Sequence, residues 1–433
     1  MARGATWDAA LERRVGHAIG LEAKAQGSKL FRRRLRQPSS ASGLGTHLGD
    51  IWEDPVILGE FGLALTQGVQ NHVMACVIHF TLNSMENARF RVNVKIEEDV
   101  LHEVYLPHFR RIIEGGVTSV MSSYNSVNGE FLGQNWELLT NTLRNKWHFD
   151  GFVISDFIFR LRDAALSLKN GLDIDAPFTQ QRALHLGDAL VSGKLDWADV
   201  DKACLRILMK QLQWESRAEV VTPDMSVVFS KEHRDLAREV ASRSMVLLKN
   251  EMVHEAPLLP LDPSQFSTVA LVGRLANIAN TGDKGSSQVF PPRVVTGFEG
   301  LKAALPNKEI VMNDTDSVET AREAAAQADV VICVVGYDAN DEGEFVVPSL
   351  QSDPCLQSLF PPSTTVKDRE TLGVMQAGSN ESKLETGLEV GAGGDRTSLR
   401  LRPRDVEMIK GVSAANPKIV VVLVTAGAVV MEN

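Results

Sequence analysis

Short apolar runs alternate with amphipathic stretches along almost the whole chain, and that order predicts an α/β protein built on parallel sheets. Two further observations point the same way. The runs are rich in Val and Ile and apolar at successive positions, as strands covered on both faces are. The stretches between them are long enough for crossover helices, which join parallel neighbours with a right-handed turn.

In the first half, the runs at 74–80 (MACVIHF), 117–124 (VTSVMSSY), 151–156 (GFVISD) and 172–177 (LDIDAP) are the predicted strands. Helices are expected at 96–114 and 135–147. In the second of these, Trp136, Leu139, Leu143 and Trp147 recur at helical spacing and fall on one face. More than four such units in one sheet would favour a barrel. Residues 27–46 interrupt the rhythm with Arg, Ser and Gly and no apolar period. A charged helical connector follows at about 197–219. A second series then places strands at 267–273, 309–313, 330–336 and 418–427, with helices at 317–329 and 404–416. This half reads as a doubly wound, three-layer domain. The stretch 349–394, rich in Ser, Gly and Pro, reads as a functional lid or a disordered segment. The expected domains are 1–196, a connector at 197–235, and 236–433.

Composition narrows the function. With 45 Lys and Arg against 55 Asp and Glu the chain carries a formal charge of −10, so a nucleic-acid partner is not expected. Hydrophobic residues at 44 % and charged residues at 23 % match ordinary globular usage. No apolar run reaches the ~18 residues of a spanning helix, so no membrane partner is expected. The N-terminus lacks an apolar signal core, and the compartment stays open. Cys76, Cys204, Cys333 and Cys355 are scattered and indicate neither a disulfide framework nor a zinc site. No metal-ligand spacing occurs, and residues 282–287 (GDKGSS) lack the spacing of a phosphate cradle. No cofactor and no metal are expected.

In parallel α/β folds functional groups gather at the C-terminal ends of strands. The polar residues there are His79, Tyr124, Asn125, Asp156, Asp173 and Asp175. Asp156 ends a fully apolar run and precedes Phe157. Position alone fits a catalytic carboxylate and a helix cap equally well. His79, between Ile78 and Phe80, fits a core histidine or a site residue. The acidic tetrapeptide 341–344 (DEGE) follows a strand and by itself reads as a solvated turn.

Residues 115–157 then carry S-Y-N-x-V-N-G, L-L-T, Arg144, Trp147 and G-F-V-x-S-D in that order. With 170–177 (NGLDIDAP), 237–250 (AREVASRSMVLLKN), 282–292 and 393–399 (GGDRTSL), the sequence resembles glycoside hydrolase family 3, of the β-glucosidase and β-xylosidase type. The resemblance implies an incomplete (β/α)8-like barrel followed by an α/β three-layer sandwich, with the active site between them. It implies retaining hydrolysis of a β-linked glycoside by two carboxyl groups ~5–5.5 Å apart. Asp156 matches the nucleophile. Glu342 matches the loop of the acid/base best, with Glu344 next. His79 matches a sugar-binding position, while Tyr124 and Phe157 are candidates to stack on a sugar face, or else pack in the core. The segment 80–86 (FTLNSME) lacks the His-containing loop of the N-acetylglucosaminidase members, which leaves a glucosidase or xylosidase.

The chain also departs from the pattern. It starts beyond the family's D-G-P aspartate, and residues 28–50 do not carry the expected clamp arginine. They are Arg-, Ser-, Pro- and Gly-rich, as an out-of-frame reading of GC-rich codons would be. Ile78 stands where the family has a sugar-binding lysine. The last strand–helix elements are lacking after VVMEN. The expectation is a truncated member with little or no turnover on its own. The alternative is an inactive relative that only binds sugar or a partner protein.

Overall fold

The computed structural model describes residues 2–34, 54–159, 161–177, 180–217, 222–253, 256–282, 288–343, 354–359 and 394–431. The chain folds into two compact units. One comprises residues 1–44, 49–245 and 345–391, and the other comprises 45–48, 246–344 and 392–433.

The first unit is built on four parallel strands in the order β1 (Leu30–Arg34), β2 (Met74–Phe80), β3 (Ser119–Ser122) and β4 (Phe152–Ile154). Helices Pro55–Val69, Pro107–Glu114 and Glu137–Lys146 make the crossovers, and Ala9–Ala25 precedes β1. Local chemistry starts them. The Asp8 carboxylate accepts from Leu11 N–H, and Asp54 accepts from Val56 and Ile57, with Pro55 in the first turn. Every residue of β2 is buried, because both faces of the sheet are covered. Ala75, Val77 and Phe80 pack with Phe61, Phe109, Ile112 and Leu139 on one face. Met74, Cys76 and Ile78 pack with Met121, Phe152 and Ile154 on the other, against Ile207 and Trp214 of helix Trp197–Glu215.

Four sequence-based expectations change. Residues 30–34 form a strand, with Leu30 opposite Met74. Their lack of apolar period hid it, since parallel pairing is made by the backbone. Residues 172–177 form no strand; only a parallel bridge joins Ile154 to Ile174. There the Asp173 carboxylate accepts the Val153 N–H that a longer ladder would use. The expected helix 96–114 is broken, because Pro107 has no N–H to continue it and begins Pro107–Glu114 instead. Trp136 is 49 % exposed. Glu137–Lys146 winds with i→i+5 bonds, and Leu138, Leu139, Thr142 and Leu143 take the buried face.

The second unit is a parallel sheet in the order β6 (Glu309–Asn313), β5 (Thr268–Val272), β7 (Val330–Gly336) and β8 (Ile419–Val424). Helices Val318–Ala326 and Pro403–Ala415 cover one face through Ala321, Ala325, Met408 and Val412. Leu301 and Leu305, from and just after Gly297–Ala304, pack with Val269 and Val330 on the other. Helices on both faces make the expected three-layer α/β sandwich. Of the stretch 349–394, all but 354–359 and Gly394 lie outside the described residues, as do 35–50 and 283–287.

Candidate active site

The strand ends of the first unit gather the predicted polar residues. Asp156 follows β4 by two positions and is only 6 % exposed. Phe157 N–H donates to its Oδ1 at 2.8 Å. Its Oδ2 lies 3.1 Å from His79 Nε2, near the end of β2, but accepts no hydrogen bond among the described residues. One oxygen is therefore fixed by the backbone while the other keeps its lone pairs beside an imidazole. The helix-cap role is not taken: the next helix, Ala164–Lys169, is capped by Asp163.

Tyr124 is also buried. Its hydroxyl donates to Phe157 O at 2.9 Å, and its ring meets Phe90 edge-on at 4.6 Å between centroids. It belongs to an apolar cluster with Ile158, Phe159, Leu356 and Leu359, which Phe157 borders. Arg89 sits over both the Phe90 and Tyr124 rings and pairs with Glu86 at 2.8 Å. Ile78, buried in the opposite cluster, offers the site no polar group.

What holds β4 in register is a charge cluster that sequence reasoning did not assemble. Asp173 has a fully buried side chain that contacts Arg144 at 2.8 Å and Arg206 at 2.6 Å, and accepts Val153 N–H at 2.7 Å. Arg144 also donates to Gly151 O and Gly171 O, and Arg182 to Leu172 O and Asp173 O. Burial pulls both Arg144 and Arg182 down to about 10, against the pull of the neighbouring aspartates. Burial likewise raises Asp175, whose Oδ2 accepts from Arg182 N–H. The cluster ties 171–173 to Gly151, just before β4, and to Val153 in its middle, three residues before Asp156. Its signal was partly visible, since Arg144 and Asp173 both lie in matched motifs; Arg206 lay in the connector with no motif to mark it.

In the second unit, Glu342 lies beyond the end of β7 and is completely buried. Its Oε2 is 2.6 Å from Arg396 Nε. The Arg396 guanidinium sits 4.6 Å over the Tyr337 ring and donates to Ala428 O. Arg274 grips the same turn through Asp338, at 2.8 Å, and Asp341. Glu344 lies outside the described residues. Among the described residues no group of three or more His, Cys, Asp or Glu side chains is placed to hold a metal ion, and no helix is long and apolar enough to cross a membrane. No disulfide joins the four cysteines, of which Cys76 and Cys333 are buried.

Comparison with known proteins places this arrangement. The model of the glycosyl hydrolase family 3 N-terminal domain matches residues 51–209, and that of the family 3 C-terminal domain matches 245–433. The chain is 35 % identical over 316 residues to a β-glucosidase of Rhizobium radiobacter, covering 71 % of this chain and 37 % of that protein. It is 31 % identical to the thermostable β-glucosidase B of Acetivibrio thermocellus, covering 78 % of this chain and 45 % of that one. It thus spans about half or less of the length of the curated relatives it matches. Among solved structures, the β-glucosidase of Kluyveromyces marxianus superposes with a TM-score of 0.80 at 20 % identity, covering 99 % of this chain and 65 % of that one. The β-D-glucoside glucohydrolase of Trichoderma reesei gives 0.78 at 23 %, covering 99 % and 57 %. At such identities the likeness is one of fold, and it agrees with the α/β architecture above. Two adjoining domain models of one family account for most of the sequence, and the chain belongs to glycoside hydrolase family 3.

Proposed function

We propose that the chain carries retaining β-glycosidase chemistry on β-glucosides or related β-glycosides, with Asp156 as nucleophile. The carrying observation is the Asp156 carboxylate, buried at a strand end with one oxygen held by a backbone N–H and the other 3.1 Å from the His79 imidazole, with no hydrogen bond to it among the described residues. Oδ2 attacks the anomeric carbon as the bond to the leaving oxygen breaks. A second carboxyl group gives that oxygen its proton. The same group then takes a proton from water, which opens the glycosyl ester and frees Asp156. His79, beside Oδ2, orients the nucleophile, and Phe157, partly exposed, offers a ring to a sugar face.

Glu342 and Glu344 are the candidates for the second carboxyl. A general acid must present its proton to the leaving group, so Glu342 has to part from Arg396 first. Glu344, the second candidate, lies outside the described residues. The support for a β-glucoside is that the relatives are named β-glucosidases. A second reading, a family relative that binds sugar without turning it over, draws on Ile78. The resemblance calls for a lysine there, and the apolar side chain donates no hydrogen bond to a sugar hydroxyl.

A 2-deoxy-2-fluoro β-glucoside with a good leaving group tests the proposal. The expected result is one glycosyl adduct per chain, located on Asp156 by peptide mass spectrometry. Saturable sugar binding with no adduct would establish the second reading instead. In an active preparation, azide rescue of Glu342→Ala or Glu344→Ala identifies the proton donor.

A further inference from the structure

Away from the strand ends, two imidazoles meet on the surface of the first unit. His17 projects from helix Ala9–Ala25 and His72 from the turn that follows Pro55–Val69. His72 Nε2 lies 3.0 Å from His17 Nδ1, and the ring centroids are 4.3 Å apart. Backbone packing sets this spacing. Gly16, Gly20 and Gly68 lie where the two helices touch; a Cβ on Gly20 would come within 2.7 Å of Val69 O, and one on Gly68 within 2.6 Å of His17 N. With no side chain between the backbones, the helices hold their two histidines at one separation. Burial, with help from His17 and Lys24, lowers His72 to about 4, so its ring is neutral at physiological pH.

We propose that His17 and His72 form a two-imidazole site for a divalent transition-metal ion of the Cu2+, Ni2+ or Zn2+ type, with water completing its shell. Metal–imidazole bonds run about 2.0–2.1 Å, so two nitrogens 3.0 Å apart subtend roughly a right angle at the metal. That is the angle between adjacent ligands in tetragonal Cu2+ and Ni2+ complexes, and imidazole suits these ions. In the metal-free pair one facing nitrogen donates to the other. On binding, that proton moves to the outward nitrogen of its own ring, and both facing lone pairs turn to the metal. The bound ion pins the first helix to the segment entering β2. Lys24 is the charge that works against it.

The test titrates the full chain with Ni2+ alone by calorimetry, and with Cu2+ alone by electron paramagnetic resonance. His17→Ala and His72→Ala are run beside the wild type, with thermal melts to confirm folding. The expected result is one ion per chain, a Cu2+ spectrum split by two nitrogens, and affinity about tenfold or more weaker in either variant. Equal affinity in all three proteins would move the metal elsewhere, for instance to the exposed thiols Cys204 or Cys355, and overturn the proposal. No binding to the wild type at metal concentrations of about 0.1 mM would overturn it as well.

Discussion

Asp156 and Glu342 are both buried carboxylates beyond the end of a parallel strand, yet their surroundings differ. Asp156 receives a backbone N–H on one oxygen and faces a single imidazole with the other. Glu342 faces a guanidinium that is itself stacked on Tyr337 and bonded to Ala428 O. Both are shielded from water, so burial does not separate a reactive carboxylate from a structural one. The partner does. Asp156 has an imidazole 3.1 Å from its second oxygen, whereas Glu342 has at 2.6 Å an arginine whose further contacts fasten the loop.

The sharpest way to break this comparison is Asp156→Asn. The expected outcome is loss of fluoro-sugar labelling and, in any active preparation, a fall in turnover of about 10⁴-fold, with little change in melting temperature. Retained labelling would remove Asp156 from the chemistry.

Asp173→Asn attacks the support of the same site. It leaves Arg144 and Arg206 without their shared counter-charge, and breaking a buried ion pair from one side costs about 3–5 kcal/mol. Urea unfolding of the first unit should show a loss toward the upper end of that range, because two arginines are stranded together.

Glu342→Gln probes the other carboxylate. Stranding Arg396 should cost about 3 kcal/mol, read from the unfolding of the second unit. An unchanged midpoint would show that the pair does not lock the turn, and would bring Glu342 forward as proton donor.

The smallest effect belongs to a third buried acid, Glu12. Burial raises its carboxyl, against the pull of Arg3 at 3.5 Å. The folded state therefore holds that proton to higher pH than the unfolded chain does. Stability from this group is present below the ordinary carboxylate value and is lost as pH rises through the raised one. Glu12→Gln should flatten that decline, so that its melting temperature falls less than the wild type's between pH 4 and pH 7 in thermal unfolding.

The same contrast explains what could be read before the structure. Strands β2, β3 and β4 and all four of the second sheet were legible because apolar runs declare themselves. β1 was not, since LFRRR carries no pattern and is held by backbone pairing to Met74–Ile78. Asp156 stood out as a carboxylate ending an apolar run. Arg206 did not, because arginine is common on surfaces and only its burial beside an acid distinguishes it, and Arg396 was marked by its motif at 393–399 but not by its partner. Residues 172–177 looked like a strand by composition, but the Asp173 side chain took the hydrogen bond that pairing required.

By itself, the sequence determined the α/β class, the family and the order of elements. These follow from hydrophobic period and motif order, both of which are local along the chain. Only the tertiary structure decided which charges meet: His79 with Asp156, Asp173 with two arginines, Glu342 with Arg396, His17 with His72. Partners dozens of residues apart are chosen by packing and desolvation, and neither is encoded in the spacing between neighbours.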